Sequence, residues 1–172
     1  MKKFTLIASM ALLVVFTANS QKYAVVDMDY ILKAIPQYES ANDQLNQLSN
    51  KWQKEIEAMQ AEVQTMYKNY QTELVFLTPA LKKNREDSII SRERQVNDLK
   101  KRYFGPEGEM FKRRESLIKP IQDEIYNAIQ ELSNSKKYDL IFDKNSTVGI
   151  IFAAPKIDIS DEILTQMGYS IK

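Results

Sequence analysis

From Tyr38 onward, apolar residues fall at Ala41, Leu45, Leu48, Trp52, Ile56, Met59, Val63, Met66, Tyr70, Leu74 and Leu77, in steps of three or four. A mean step of about 3.5 lies between a coiled-coil seam and the stripe of a straight helix, and neither Gly nor Pro interrupts it. At about 1.5 Å per residue, some forty residues make a rod of roughly 60 Å, longer than a compact small domain requires. Leu77-Thr78-Pro79 then breaks the pattern, and Thr78 as N-cap with Pro79 at the first helical position predicts a new helix. The second stretch carries Ile89, Val96, Leu99, Tyr103, Met110, Leu117, Ile121, Ile125, Ala128 and Leu132. Two amphipathic stretches joined by a tight reversal predict an antiparallel helical hairpin, its second limb interrupted at Gly105-Pro106-Glu107-Gly108 and kinked near Pro120.

Outside this excursion the period changes. Tyr23-Ala24-Val25-Val26-Asp27-Met28 is apolar on both faces of a strand, the pattern of a strand buried on both sides. Asp29 is the expected N-cap of a short helix from Tyr30 to Ile35, ended by Pro36. Residues 138–143 and 148–153, both largely apolar, flank the polar Lys144-Asn145-Ser146 and predict a β-hairpin. Ser160 is the expected cap of a last short helix, with Asp161 and Glu162 at its positive end and Gly168 as its stop. The fold class is α+β: a small β-rich oligomerisation body from residues 21–36 and 134–172, and a long antiparallel helical hairpin, a coiled-coil-like arm, over 37–133. A body of about 55 residues is marginal alone. Strands apolar on both faces need covering, which points to association with copies of the same chain through Val25, Phe142, Ile150, Ile151 and Phe152.

Residues 1–20 read as a cleavable targeting segment. Lys2 and Lys3 precede an apolar run, Phe4 to Phe16, that is shorter than the roughly 20 residues of a membrane span. Ala18-Asn19-Ser20 suits cleavage before Gln21. The expected product is therefore exported. The chain has no Cys and no His, which removes thiol and imidazole catalysis, disulfides and nearly every zinc site. Its four glycines form no phosphate-binding motif, and 24 basic against 23 acidic residues give no basic field for nucleic acid. Asp27 and Asp29 could share a face as paired carboxylates, but Asp29 is more simply a cap. Ser88 beside Lys82 or Lys83 could form a dyad, but a densely charged helix offers no dry pocket to depress a lysine pKa. No catalytic residue, metal site or cofactor is expected.

Charge is unevenly placed along the arm. Residues 37–77 hold three basic and six acidic groups, whereas residues 78–114 hold eleven and six. The basic strip, with runs at Lys82-Lys83-x-Arg85, at Lys100, Lys101 and Arg102, and at Lys112, Arg113 and Arg114, either complements the acidic first limb or attracts acidic partners or an anionic membrane surface. Met66, Tyr70 and Met110 lie on the seam, whereas Tyr67, Phe76, Phe104 and Phe111 flank it. Both sets are candidates for contact with apolar partners, since Met and flat aromatic side chains repack around varied surfaces.

The segments K-Y-A-V-V-D (22–27), L-I-K-P-I-Q-D-E-I-Y-N-A-I (117–129), K-Y-D-L-I-F-D (137–143) and I-D-I-S-D-E-I-L (157–164), together with the leader and the charged excursion, resemble the Skp/OmpH family of periplasmic chaperones. The resemblance implies a homotrimer with a β-body and three helical-hairpin arms. It also implies a cavity that holds unfolded outer-membrane proteins in the periplasm without ATP. The near-neutral charge and the Gly105–Gly108 break depart from the family pattern, and contact with lipopolysaccharide or an anionic membrane stays open. The alternative, on the residues alone, is an exported coiled-coil adaptor or spacer that binds a folded partner.

Overall fold

A computed structural model describes residues 21–146 and 149–170; the expected targeting segment lies outside them. The elements are β1 (Tyr23–Val26), α1 (Met28–Ala34), α2 (Pro36–Glu73), α3 (Pro79–Phe104), α4 (Glu109–Lys136), β2 (Leu140–Asp143), a 3₁₀ turn (Pro155–Ile157) and α5 (Ser160–Gln166). The α+β class holds. The described residues divide into two compact units, one formed by those from 21 to 31 with those from 125 to 170, the other by residues 32–124.

In the unit of residues 32–124, α2 and α3 are antiparallel partners, as the periodicity predicts. Tyr103 donates to Glu55 at 2.8 Å, Tyr67 to Glu93 at 3.2 Å, and Arg85 meets Glu73 at 3.3 Å, so the pairs climb α2 while descending α3. Arg92 also bridges to Glu62. Beneath these polar pairs, Ile56, Val63, Val96 and Leu99 form a buried seam with Met59 and Tyr103 packed against it. Thr78 caps α3, its hydroxyl accepting the Leu81 amide at 3.4 Å. Pro36 does more than end α1: with Ile35 held extended, it occupies the first turn of α2, where its missing N–H costs nothing.

The Gly105–Gly108 interruption is a hydrogen-bonded corner. The Gly105 amide donates to the Lys101 carbonyl at 2.8 Å, and the Gly108 amide donates to the Gly105 carbonyl at 2.9 Å. A Cβ at Gly105 would lie 2.4 Å from the Lys101 oxygen, and one at Gly108 2.8 Å from the Arg102 oxygen, so both approaches exclude a side chain. Trp52 stacks on Tyr103 at 4.7 Å with the rings 8° apart, and Phe104 meets Trp52 edge-on at 6.2 Å. Helix α4 then continues across Pro120.

In the other unit the expected β-hairpin does not form among the described residues. β2 pairs with β1 in parallel, Tyr23 opposite Leu140 through Val26 opposite Asp143. Val25 forms a further parallel bridge with Asp158, whose successor Ile159 donates its amide to the Val25 carbonyl at 3.0 Å. β1 thus lies between two segments from the C-terminal part of the chain. The polar turn at 144–146 forms, but residues 149–154 follow it without strand pairing, and Val148 lies outside the described residues. Turn chemistry favours a local hairpin, but the twice-apolar β1 recruits both neighbours across the long helical excursion, which supplies the crossover parallel pairing needs. Ala24, Val25, Val26, Ile31, Ile125, Leu132, Ile159, Ile163 and Leu164 form the core. Two capping assignments change with the pairing. Because β1 stops at Val26, it is Asp27, not Asp29, whose carboxylate accepts the Tyr30 amide at 2.8 Å. Ser160 is already helical, Ile159 occupies the cap position, and the Ser160 hydroxyl accepts the Asp27 amide at 2.8 Å instead. Gly168, at φ 84°, ends α5 as expected.

Candidate binding and assembly surfaces

The unit containing the sheet is closed by a polar clamp. Lys144, on the turn after β2, places its ammonium 3.2 Å from Asp27 at the end of β1 and 2.9 Å from Asp158 before α5. Asp158 also accepts the Ser160 hydroxyl at 2.6 Å and the Ser160 amide at 3.0 Å. The carboxylate partner of Asp27 is therefore Asp158, across Lys144, and not Asp29. Burial pushes the Asp27 carboxyl up, but the Tyr30 amide and the Lys144 ammonium outweigh it and hold it below the usual carboxylate value. At Asp158 burial again pushes upward, and the Ser160 hydroxyl with Lys144 overcomes it. Lys144 is raised in turn, by its hydrogen bonds to Asp158 and Asp27.

The linked stability has a definite sign. Carboxylates depressed on folding stabilise fully above their ordinary value of 3.8, and that contribution is lost as pH falls through 3.8 toward the folded values. The raised lysine contributes below 10.5 and is lost above it. Lys144→Gln should lower the urea midpoint at neutral pH, while its fall on acidification from neutrality to below the carboxylate range should be about half that of the parent. Parallel curves for parent and variant would show that the clamp carries no acid sensitivity.

The assembly candidates divide sharply. Val25 is 4% exposed and already packed inside its own unit. Ile150 is half-buried and Phe142 exposed, while Ile151 is 100% and Phe152 81% exposed. Leu140 and Tyr23, which the sequence pattern did not single out, are exposed beside them in the paired strands.

The apolar contact candidates occupy different surroundings. Tyr67 is exposed on α2 and lines a groove with Gln60, Gln64, Asn97 and Lys100 over a floor of Val63 and Val96. Phe76 stands in the reversal between α2 and α3, and Phe104 ends α3 against Trp52. Phe111, in the first turn of α4, lines a second groove with Leu32, Tyr38, Arg114 and Ile118. Met66, Tyr70 and Met110 are half-buried, with the Tyr70 hydroxyl donating to Glu86. Of the basic strip, Lys112 pairs with Glu109 at 3.7 Å and Arg102 lies 5.0 Å over the Tyr103 ring. Lys100, Lys101, Arg113 and Arg114 form no ion pair among the described residues. The cross-hairpin pairing falls to Arg85, of the Lys82-Lys83-x-Arg85 run, and to Arg92, which sequence reasoning missed because it stands outside every basic run. Ser88 donates its hydroxyl to the Asn84 carbonyl of its own helix at 2.7 Å. No group of three His, Cys, Asp or Glu residues suited to a metal gathers among the described residues.

Three comparisons bear on the whole chain. A chaperone protein Skp from Yersinia enterocolitica is 23% identical over 171 residues, covering 97% of this chain and 99% of its own length. A solved OmpH-like structure from Caulobacter crescentus superposes with a TM-score of 0.66 at 10% identity, over 85% of this chain and 83% of that one, and so shares the fold. The profile of the OmpH-like outer membrane protein family matches residues 22–167. With every described element inside that match, the chain belongs to the OmpH-like family.

Proposed function

We propose that the protein is an ATP-independent periplasmic holdase for unfolded outer-membrane proteins. The family and its Skp relative, a chaperone, support the class. The observation that carries the mechanism is a set of exposed aromatic side chains on a helical hairpin whose own seam is already filled: Tyr67, Phe104 and Phe111 stay open to solvent while Ile56, Val63, Val96 and Leu99 are closed. Their solvent-facing surfaces are available to a partner, even where the Tyr67 hydroxyl and one edge of Phe104 also serve the hairpin. Each contact returns only about 25 cal/mol per Å² buried, less the cost of ordering, so several weak contacts retain a chain without imposing one structure on it. The unpaired Lys100, Lys101, Arg113 and Arg114 add long-range attraction for acidic segments, which salt screens beyond about 10 Å. Copies associate through the unit holding the sheet, as a homotrimer, and their arms together enclose the client. No bond is made or broken, and no nucleotide is consumed.

The test is light scattering during dilution of a urea-unfolded outer-membrane β-barrel protein into buffer containing the purified protein and no nucleotide. Scattering should fall to near zero at one assembled chaperone per client. Undiminished aggregation at several-fold excess would remove the proposal.

A further inference from the structure

The α2 side of the arm seam carries a column of oxidisable side chains. Trp52, Met59 and Met66 recur every seven residues, so they share one face of the helix, and all three are half-buried where the neighbouring Ile56 and Val63 are closed. The chain has no cysteine, so no thiol competes, and the thioethers are its softest nucleophiles toward a two-electron oxidant. The two sulfurs stand in opposite surroundings. Met59 packs against Ile56, Val63, Val96 and Leu99, four side chains without a hydrogen-bond donor. Tyr103, the other side chain packed on that cluster, has its hydroxyl committed to Glu55 at 2.8 Å. Met66, two turns further along, lines an open groove with Asn84, Ser91, Arg92 and Gln95, all of which can donate.

We propose that Met59 is an oxidation site that unlocks the arm seam, with a hydroperoxide as the oxidant. The Met59 sulfur attacks one oxygen of hydrogen peroxide, an S–O bond forms as the O–O bond breaks, and the departing oxygen takes up a proton and leaves as water. The sulfur loses two electrons and the peroxide gains them. The product is a polar sulfoxide whose oxygen requires a donor, and the aliphatic cluster under Met59 has none. The half-buried side chain meets this need by turning the oxygen to water, which withdraws it from the seam. Ile56, Val63, Val96 and Leu99 then lose the packing contacts that it supplied. The same oxygen on Met66 finds donors in its own groove, so oxidation there leaves the seam as it was. The change at Met59 is reversible, because methionine sulfoxide reductases return the thioether.

The experiment treats the exported protein, without client, with hydrogen peroxide and follows oxidised peptides by mass alongside amide hydrogen exchange. In protein oxidised at Met59, exchange over residues 56–63 and 96–99 should speed about tenfold, and methionine sulfoxide reductase should restore the slow rate. Met66→Leu should respond to peroxide as the parent does. Met59→Leu, an apolar side chain of similar volume, should keep slow exchange although Met66 still takes up oxygen. Met59→Gln places a polar group on the cluster without any oxidant and should exchange about as fast as the oxidised parent, whereas Met66→Gln should match the untreated parent. Faster exchange in peroxide-treated Met59→Leu, unchanged exchange in protein oxidised at Met59, or Met59 left as the thioether after Met66 is fully converted would each overturn the proposal. Because no client is present, none of these outcomes depends on the holdase reading.

Discussion

Replacing Ile151 and Phe152 with Asp should reduce the assembled protein to single chains while leaving each chain folded. In the single chain Ile151 is fully exposed and Phe152 nearly so, and residues 149–154 have no strand partner. A carboxylate there meets only water, so the isolated fold loses nothing. In an assembly that covers this segment, the same carboxylates are buried without a partner, at a cost of several kcal/mol each, which a small interface does not offset. Sedimentation equilibrium should therefore fall to the mass of one chain with far-ultraviolet helicity unchanged. Val25→Asp is the contrasting variant: it places the charge at a 4% exposed core position and should unfold the sheet-containing unit itself. An Ile151→Asp, Phe152→Asp protein that keeps the parent's mass would locate assembly elsewhere.

The misread hairpin and this prediction have the same physical root. Residues 148–153 are as apolar as a core strand, and local turn chemistry says they should fold back on residues 138–143. Among the described residues, 149–153 do not, because β1 takes β2 on one edge and the segment at Asp158 on the other. Which strands pair is set by contacts more than a hundred residues apart, to which periodicity is blind. The helical hairpin, by contrast, was legible almost residue by residue, because a seam repeats locally and Thr78-Pro79 marks its reversal. Caps fall between these cases. Asp27 and Asp29 are equally good caps by type, and only the end of β1 at Val26 decides for Asp27. The Lys144 clamp was invisible in sequence, since its three charged groups come from residues 27, 144 and 158. Among the surface candidates, Tyr67, Phe104 and Phe111 could be named because they sit one position off the seam. Their separate surroundings, and the engagement of Arg102 over Tyr103, required the fold.

That placement allows grip and steering to be separated. Changing Tyr67, Phe104 and Phe111 together to Ser removes three exposed apolar side chains without emptying the seam of Ile56, Val63, Val96 and Leu99. Each such contact is worth about 1 kcal/mol to a bound client, so the triple change should cost about 3 kcal/mol and raise client dissociation on the order of a hundredfold. Helicity should stay near that of the parent because the seam remains filled, although Tyr67 gives up its hydroxyl bond to Glu93 and Phe104 its edge contact with Trp52. Changing Lys100, Lys101 and Arg113 to Gln leaves the apolar surface intact and removes charges that no carboxylate of the arm neutralises. Arg102 is left in place because it lies over the Tyr103 ring, which packs on the seam. Exposed charges act over a screening length of about 10 Å at 0.1 M salt, so the Gln variant should associate about tenfold more slowly at low salt and match the parent at high salt. Stopped-flow mixing of a labelled, urea-unfolded client with each variant measures both rates. Apolar contact as the source of retention requires the Ser variant to lose the client quickly at every salt concentration. If it retains the client as the parent does while the Gln variant releases it even at high salt, the basic limb is the gripping surface and the aromatic side chains are only exposed.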